Sequence, residues 1–329
     1  MASLRFSTLL LVSLVSACSS SDNLVLKDLT VVKDFTGDAR GAAFSLAIDH
    51  GVAYVSTRAG FNAYQLNNGT DAVQLATYVV APASDQSEQP LAIRGTTLAV
   101  AHGSRITLLD ISTPASPTTL STIEINANGA GYSLAFDGDY LYWGGINLQR
   151  ANVSDLAHPG PPSQLSGQEA LSFVIRDGHI YVSATGTLTI YTEPDPAITN
   201  GAAVPVGMTT IPAAGSLLLN GNALYGTSGR GGVPFAIDVH DPTAPVVTSP
   251  GPGDGIGTGM ALVGDQLLVA SRGGMTFTYD VGDKLHPVED QNRTIVRNAD
   301  GIPNYGIGRV DDLVLLCNDR GFYILAPTL

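Results

Sequence analysis

The stretch QPLAIRGTTLAVAHGSRITLLDISTPASPTTLSTIEI, residues 89–125, decides the fold. It holds four short runs, QPLAI, TLAVAH, RITLLDI and PTTLSTIEI, parted by turns rich in Gly, Ser and Pro. Alternation of apolar and polar residues matches a strand, in which successive side chains point to opposite sides. Runs this short, joined by turn residues, make antiparallel hairpins. The stretch therefore reads as one four-stranded unit, with two sheet faces that only neighbouring units can cover.

Such units recur along the chain. The turn between the first two strands falls at Gly51, Gly95, Gly138, Gly178, Gly221, Gly264 and the Asp311-Asp312 pair, at intervals of about 40 to 48 residues. First strands are small and apolar, as in AFSLAI, GYSLAF and GMALV, and second strands follow as VAYVST, LYWGG and LLVASR. Third strands, among them FNAYQL, LTIYTE, PFAIDV and GFYILA, are the most alike. Seven repeats of about 43 residues predict an all-β, seven-bladed β-propeller, with residues 24–329 as one domain. A fourth strand is readable in six repeats, for example DAVQLATYVV and PVEDQNRTIV, but the seventh lacks one. The N-terminal segment LVLKDLTVVKDFT, residues 24–36, is expected to pair into the last blade and close the circle, which removes the open sheet edges.

Composition agrees with a packed, turn-rich protein: 14% of residues are charged, 44% are hydrophobic, and Gly and Pro are plentiful. The formal net charge of -13 disfavours nucleic acid as a partner, because the field of the molecule repels polyanions. The opening MASLRFSTLLLVSLVSACSSSD carries Arg5, an apolar run from Leu9 to Val15 and small residues before Cys18, which is the pattern of a signal peptide over residues 1–17. Val15-Ser16-Ala17-Cys18 resembles a bacterial lipobox, which implies a lipid (palmitate) on Cys18, a short tether over 18–23 and a membrane partner reached through that lipid. An ordinary secretory signal cut nearby is the alternative. Ser19 after the cysteine implies the outer membrane in a host with two membranes. Cys317 then remains without a disulfide partner, and its setting LVLLCND marks a buried small hydrophobe.

The third strand and its following turn resemble the LVIVD repeat of β-propeller surface proteins. The matching segments are ITLLDISTPASP (106–117), FAIDVHDPTAPV (235–246) and FTYDVGDKLHPV (277–288), with a looser LTIYTEPDPAIT (188–199). Asp110, Asp238 and Asp280 are placed to accept hydrogen bonds from turn amides, while the prolines fix φ and stop the strand. The third repeat, NLQRANVSDLAHPGPP, departs by losing the leading apolar pattern. The resemblance implies the fold and a cell-surface setting rather than an activity.

The strand order sorts the links onto two faces. Links between first and second strands and between third and fourth strands share the lower face. It collects Asp49, Asp137, Asp139, Asp177, Asp265, Asp311, Asp312, Asp155, Glu193, Asp195, Asp241 and Asp283, against Arg94, Arg176 and Lys284. The upper face holds the links between second and third strands and between blades. Arg58, Arg105, Arg230, Arg272 and Arg320 repeat in the former, and Arg40 and Arg297 lie in the latter. Arg40, Arg58, Arg105, Arg230, Arg272 and Arg320 are the candidate ligand-binding residues, since guanidinium forks suit carboxylates, phosphates or an acidic partner; the alternative role is ion pairing between blades. The same links carry acids. Glu88, Glu169, Asp254 and Asp300 are the candidate carboxylates for a metal, with loop solvation as their competing role.

Motif searches for HExxH, paired CxxC, EF-hand, GxSxG and GK[ST] sequences are empty, and the six histidines lack ligand spacing, so no catalytic residue, metal or cofactor is expected. The function expected is a lipid-anchored binding or scaffolding module of the cell envelope for a protein, peptide or glycan. The alternative is an envelope enzyme of the lactonase or hydrolase propeller kind, with its site at the upper channel mouth. With Ser19–Asn23 as tether, at most about 18 Å when extended, the acidic lower face is expected to lie toward the membrane.

Overall fold

Two-residue hairpins set the register of every repeat. Asp49 pairs with Val52 around His50-Gly51, Arg94 with Thr97 around Gly95-Thr96, and the same spacing recurs at Asp137/Tyr140, Arg176/His179, Asn220/Ala223, Val263/Gln266 and Val310/Leu313. These tight loops need left-handed backbone, which His50 and Gly51 adopt with φ of 46° and 75°. That conformation twists the loop in the same sense as the strands it joins.

In the computed structural model, residues 29–34, 45–67, 71–80, 89–125, 133–195, 202–212, 214–228, 234–249, 257–290, 304–311, 313–318 and 321–327 are described. They form seven four-stranded antiparallel sheets and no helix. Blades 1 to 6 run in chain order through residues 46–79, 91–124, 134–164, 172–210, 214–249 and 257–289. Blade 7 takes its first three strands from Asn304–Val310, Leu313–Asn318 and Gly321–Pro327, and its outer strand from Leu29–Asp34. This outer strand runs antiparallel to Gly321–Pro327, with Leu29 opposite Pro327 and Asp34 opposite Tyr323. The remainder of the 24–36 segment lies outside the described residues.

The core shows that the sheets form a ring. Each of seven apolar clusters bridges one consecutive pair of blades. Tyr54, Phe61, Leu98 and Leu109 join blades 1 and 2, and Ile123, Leu134, Phe136 and Trp143 join 2 and 3. The series continues around to Val55, Tyr64, Leu315 and Phe322, which join blade 7 back to blade 1. First strands of neighbouring blades also touch one another, which places them around the axis. The molecule is a seven-bladed β-propeller, and burial between blades is its main source of stability. Cys317 is part of the blade 7 to blade 1 cluster and fully buried, and burial pushes its thiol pKa well up, so it is held as an inert apolar group.

Blade lengths are uneven where the sequence departs from its repeat. The fourth strand of blade 3 is only Ser163–Gln164, whereas that of blade 1 runs from Asp71 to Val79. In blade 6 the described fourth strand is Val288–Glu289, and the rest of PVEDQNRTIV from 291 onward lies outside the described residues.

Candidate functional site

Three of the six candidate arginines are described, and they do not form one group. Arg58 is exposed in the link of blade 1, with its backbone carbonyl accepting a hydrogen bond from Gln89 Nε2 at 2.9 Å. Arg105 pairs with Glu124 at 2.8 Å across adjacent strands of its own blade. Both side chains of that pair are about two-thirds exposed, so it adds little stability. Arg272 lies with its guanidinium 5.9 Å from the ring of Tyr305 in the next blade. Arg40, Arg230, Arg320 and Cys18 lie outside the described residues, as do Glu88, Asp254 and Asp300. Glu169 is described; its Oε2 accepts a hydrogen bond from Thr185 Oγ1 at 2.9 Å. No group of three His, Cys, Asp or Glu side chains suited to a metal ion is found among the described residues.

Among the described residues, buried polar atoms with no hydrogen-bond partner include Arg176 Nε and Gln266 Oε1 beside the lower-face hairpins, Arg150 Nε inside blade 3, and a larger group at the upper ends of the strands. The upper group includes Gln89 Oε1, His102 Nε2, Ser133 Oγ and Trp143 Nε1 in blades 2 and 3, and Thr276 Oγ1 and Asn304 Oδ1 in blades 6 and 7. A buried group without a partner costs about 1–3 kcal/mol, so a native protein usually leaves one only where water, a ligand or a function uses it. Four of these six sit in two adjacent blades.

Between those same blades the upper rim opens into a cleft of about 300 Å³, lined by Glu124, Ile125, Gln149, Pro162 and Gln164. Its geometry follows from register. Trp143 pairs with Gln149, and Gln149 with Gln164, so the three form one row across blade 3. Side chains directly opposite on antiparallel strands share a sheet face. Trp143 belongs to the cluster that joins blades 2 and 3, so this row faces blade 2. Moving outward along it, Trp143 is 1% exposed, Gln149 is 5% exposed and Gln164 is exposed. Gln149 Nε2 donates to Asn147 Oδ1 at 2.5 Å, which fixes the carboxamide. The place that Trp143 takes in blade 3 is filled by Val55, Val100, Val182 and Val269 in blades 1, 2, 4 and 6. It is the only tryptophan in the chain.

The lower face is built differently. Asp110 Oδ1 accepts from Ser112 N at 2.8 Å, Asp238 Oδ1 from His240 N at 2.9 Å and Asp280 Oδ1 from Gly282 N at 2.8 Å. Blade 3 keeps this turn with Asn152, whose Oδ1 accepts from Ser154 N at 2.9 Å. A second carboxylate then closes the turn, with Asp155, Asp241 and Asp283 accepting from Ala157 N, Thr243 N and Leu285 N. Hydrogen bonds from His158, Thr243 and His286 are the first cause that holds Asp155, Asp241 and Asp283 below the usual carboxylate range.

Each turn also fastens its blade to the one before. Ser121 Oγ in the outer strand of blade 2 donates to Leu156 O at 2.6 Å, and Thr248 Oγ1 in that of blade 5 donates to Leu285 O at 2.7 Å. Gly207 in the outer strand of blade 4 lies so close to the blade 5 turn that a Cβ there would sit 2.0 Å from Pro242 O. The lower-face arginines act in the same direction. Arg94 Nη1 donates to Gly138 O at 2.6 Å and Nη2 to Val153 O at 3.1 Å, and Arg176 Nη1 donates to Gly221 O.

Blade 3 departs from the repeat because it buries an arginine. Arg150 is 1% exposed and lies 4.1 Å from the centre of the Tyr140 ring. Its Nη1 donates to Tyr142 Oη at 3.2 Å and to Pro194 O at 3.3 Å. Tyr142 Oη in turn donates to Glu193 Oε1 of blade 4. Burial raises the Glu193 pKa, and the hydrogen-bonded neighbour Asp137 raises it further against the lowering effect of Tyr142 and Arg150. NLQRANV loses the leading apolar pattern of a third strand because its guanidinium is held by the Tyr140 ring, the Tyr142 phenol and the Pro194 carbonyl from two blades, with Nε left without a partner among the described residues.

No family model matches the chain, and no curated protein does. Among solved structures, the chain is similar to the β-propeller domain of Cps50 (Swd1) from Myceliophteria thermophila, at 11% identity and a TM-score of 0.68, over 91% of this chain and 100% of that one. It is also similar to the computationally designed Ika8 protein, at 12% identity and a TM-score of 0.56, over 89% of this chain and 98% of that one. At such identities the likeness concerns the fold alone.

Proposed function

We propose that the chain is a binding module of the cell envelope, held to a membrane by a lipid on Cys18 and presenting its upper face to a protein, peptide or glycan. The observation that carries this reading is the contrast in polar pairing between the two faces. Lower-face turns satisfy their own carboxylates and join blade to blade, while more of the buried polar atoms without a partner among the described residues lie at the upper ends of the strands, on the rim where a cleft opens between blades 2 and 3. Unmet hydrogen-bonding groups around a concavity are what a binding site requires. Arg58 and the other upper-link arginines supply the charged part of that face.

The chain's entry point supports the orientation. Leu29 lies opposite Pro327, the lower end of the third strand of blade 7, so the described chain enters at the lower rim. A lipid at Cys18 leaves the ten residues from 19 to 28 as connection, a reach of about 35 Å at most. The lower face then lies toward the membrane and the upper face away from it.

The test is capture from detergent-solubilised membranes by the full chain, compared with Arg58→Ala, Arg230→Ala and Arg272→Ala variants and with an Asp155→Ala, Asp283→Ala pair. Capture that the upper-face changes weaken and the lower-face pair leaves intact is expected. The reverse pattern overturns the reading. Intact mass of the mature N-terminus, read for a diacyl or triacyl addition on Cys18, tests the anchor.

A further inference from the structure

The seam between blades 3 and 4 sets two acids against each other where the seams beside it use an arginine. The residue before the first hairpin turn is Arg94 in blade 2 and Arg176 in blade 4, and each donates to a carbonyl of the next blade, Gly138 O and Gly221 O. In blade 3 the same position is Asp137, and its hydrogen-bonded neighbour across the seam is the carboxyl of Glu193. We infer that Asp137 and Glu193 form a proton-operated latch: one shared proton joins blade 3 to blade 4, and its loss slackens this seam while the rest of the ring stays closed. The latch is independent of the binding-module reading.

Geometry gives the first reason. An ionised carboxylate only accepts, so two carboxyl groups can stay in hydrogen-bond contact only while one carries the proton that the other accepts. Both side chains belong to half-buried residues, so water screens their repulsion only in part.

The balance of charge gives the second. Arg150 is the buried cation of the cluster, in the place that Ala63, Leu108, Ile190 and Ala236 fill in blades 1, 2, 4 and 5. One guanidinium balances one carboxylate, and a second ionised carboxylate would stand uncompensated. The guanidinium also opposes a metal ion as the bridge between the two acids. Tyr142 Oη donates to Glu193 Oε1, and burial pushes its phenol pKa up, so it stays a donor. The other ionisable groups on these elements turn elsewhere. The Tyr140 ring lies against Arg150, Arg176 Nε is 3.5 Å from Asp177, and His179 Nδ1 is 3.1 Å from Asp177 O. Asp139, Asp177 and Asp195 are exposed.

The sign follows from the folded state. Burial is the largest cause that raises the Glu193 pKa, and Asp137 adds to it. A group raised on folding gives its full stability below the unfolded value, about 4.3 for Glu, and loses it as pH rises through the raised one. The seam is therefore tight in acid and slack above it.

A backbone reporter stands in the same seam, where Ala203 N of blade 4 donates to Leu165 O of blade 3 at 2.9 Å. Hydrogen–deuterium exchange of the full chain, with each rate divided by the intrinsic rate at that pH, tests the latch at about pH 4 and about pH 8. Protection of Ala203 and of residues 140–152 is expected to fall about tenfold or more from the lower to the higher pH, while residues 266–280 of blade 6 keep theirs. Glu193→Gln and Asp137→Asn each supply a permanent N–H donor in place of the shared proton, so both are expected to fold and to hold the seam at either pH. Equal protection of the seam at the two pH values overturns the latch. So does a fall that blade 6 shares, or one that persists in both amide variants. Protection restored at the higher pH by calcium chloride alone also overturns it, because a cation then bridges the acids instead of a proton.

Discussion

The two faces of this propeller use similar residues for opposite purposes. On the lower face polar side chains turn inward to the protein's own backbone: Asp110, Asp238 and Asp280 take turn amides, and Arg94 and Arg176 take carbonyls of the next blade. On the upper face His102, Gln89 and Trp143 hold buried atoms without a hydrogen-bond partner among the described residues. The difference teaches that repetition here serves assembly. Where the repeat is regular it fastens blades, and where blade 3 breaks it, a cleft and a buried cation appear.

The comparison can be broken most sharply at Arg150. Arg150→Ala leaves Tyr142 and Glu193 facing a void where a buried cation stood, and a loss of about 3–4 kcal/mol is expected in urea denaturation. A loss under about 1 kcal/mol would mean the network is not structural. Gly207→Val drives a side chain into Pro242 and is expected to cost about 2–3 kcal/mol by overpacking. Asp238→Ala opens one turn only, for about 1 kcal/mol, and combined with Asp280→Ala in another blade the two costs should add.

Protonation divides the lower face further. Asp241 and Asp283 have folded pKa values below the ordinary carboxylate, so the stability they give is present above about pH 4 and is lost as pH falls through the lowered values. Glu193 is shifted upward, so its contribution is complete only at pH below the unfolded value and is lost as pH rises through the raised one. Asp283→Asn should flatten the acid side of a pH–stability profile, and Glu193→Gln the part above about pH 4.3. The smallest effect belongs to the upper face: Arg58→Ala, at an exposed position, should change the stability read in urea denaturation by no more than about 0.5 kcal/mol while weakening membrane capture. A larger cost would erase the distinction between the faces.

The ring was legible because its signals are local. Alternation, two-residue turns and the Asp-to-Pro third-strand ending all lie within one repeat, so seven blades and the order of their links follow from chain order alone. The turn hydrogen bonds of Asp110, Asp238 and Asp280 were legible for the same reason. Arg150 was not, since its partners Tyr142 and Pro194 belong to two blades, and Pro194 lies 44 residues away. The cleft was also hidden, although two signs bear on it: the lost apolar pattern in NLQRANV and the lone Trp143 in LYWGG. Sequence drew attention instead to the upper-link arginines, whose spacing repeats but whose surroundings differ. Arg105 meets an acid on its own blade, while Arg272 meets a ring on the next.

The outer strand of blade 7 has a mechanical meaning. Leu29–Asp34 lies antiparallel to Gly321–Pro327, with its first residue at the lower rim. A pull on the N-terminal end, directed away from that rim while the upper face is held, acts along the strand. The hydrogen bonds from Leu29 to Asp34 are then loaded together in shear instead of being opened one after another. A drag on the disc from its upper side is therefore resisted by the whole seam at once, whereas a sideways peel would meet only one pair at a time.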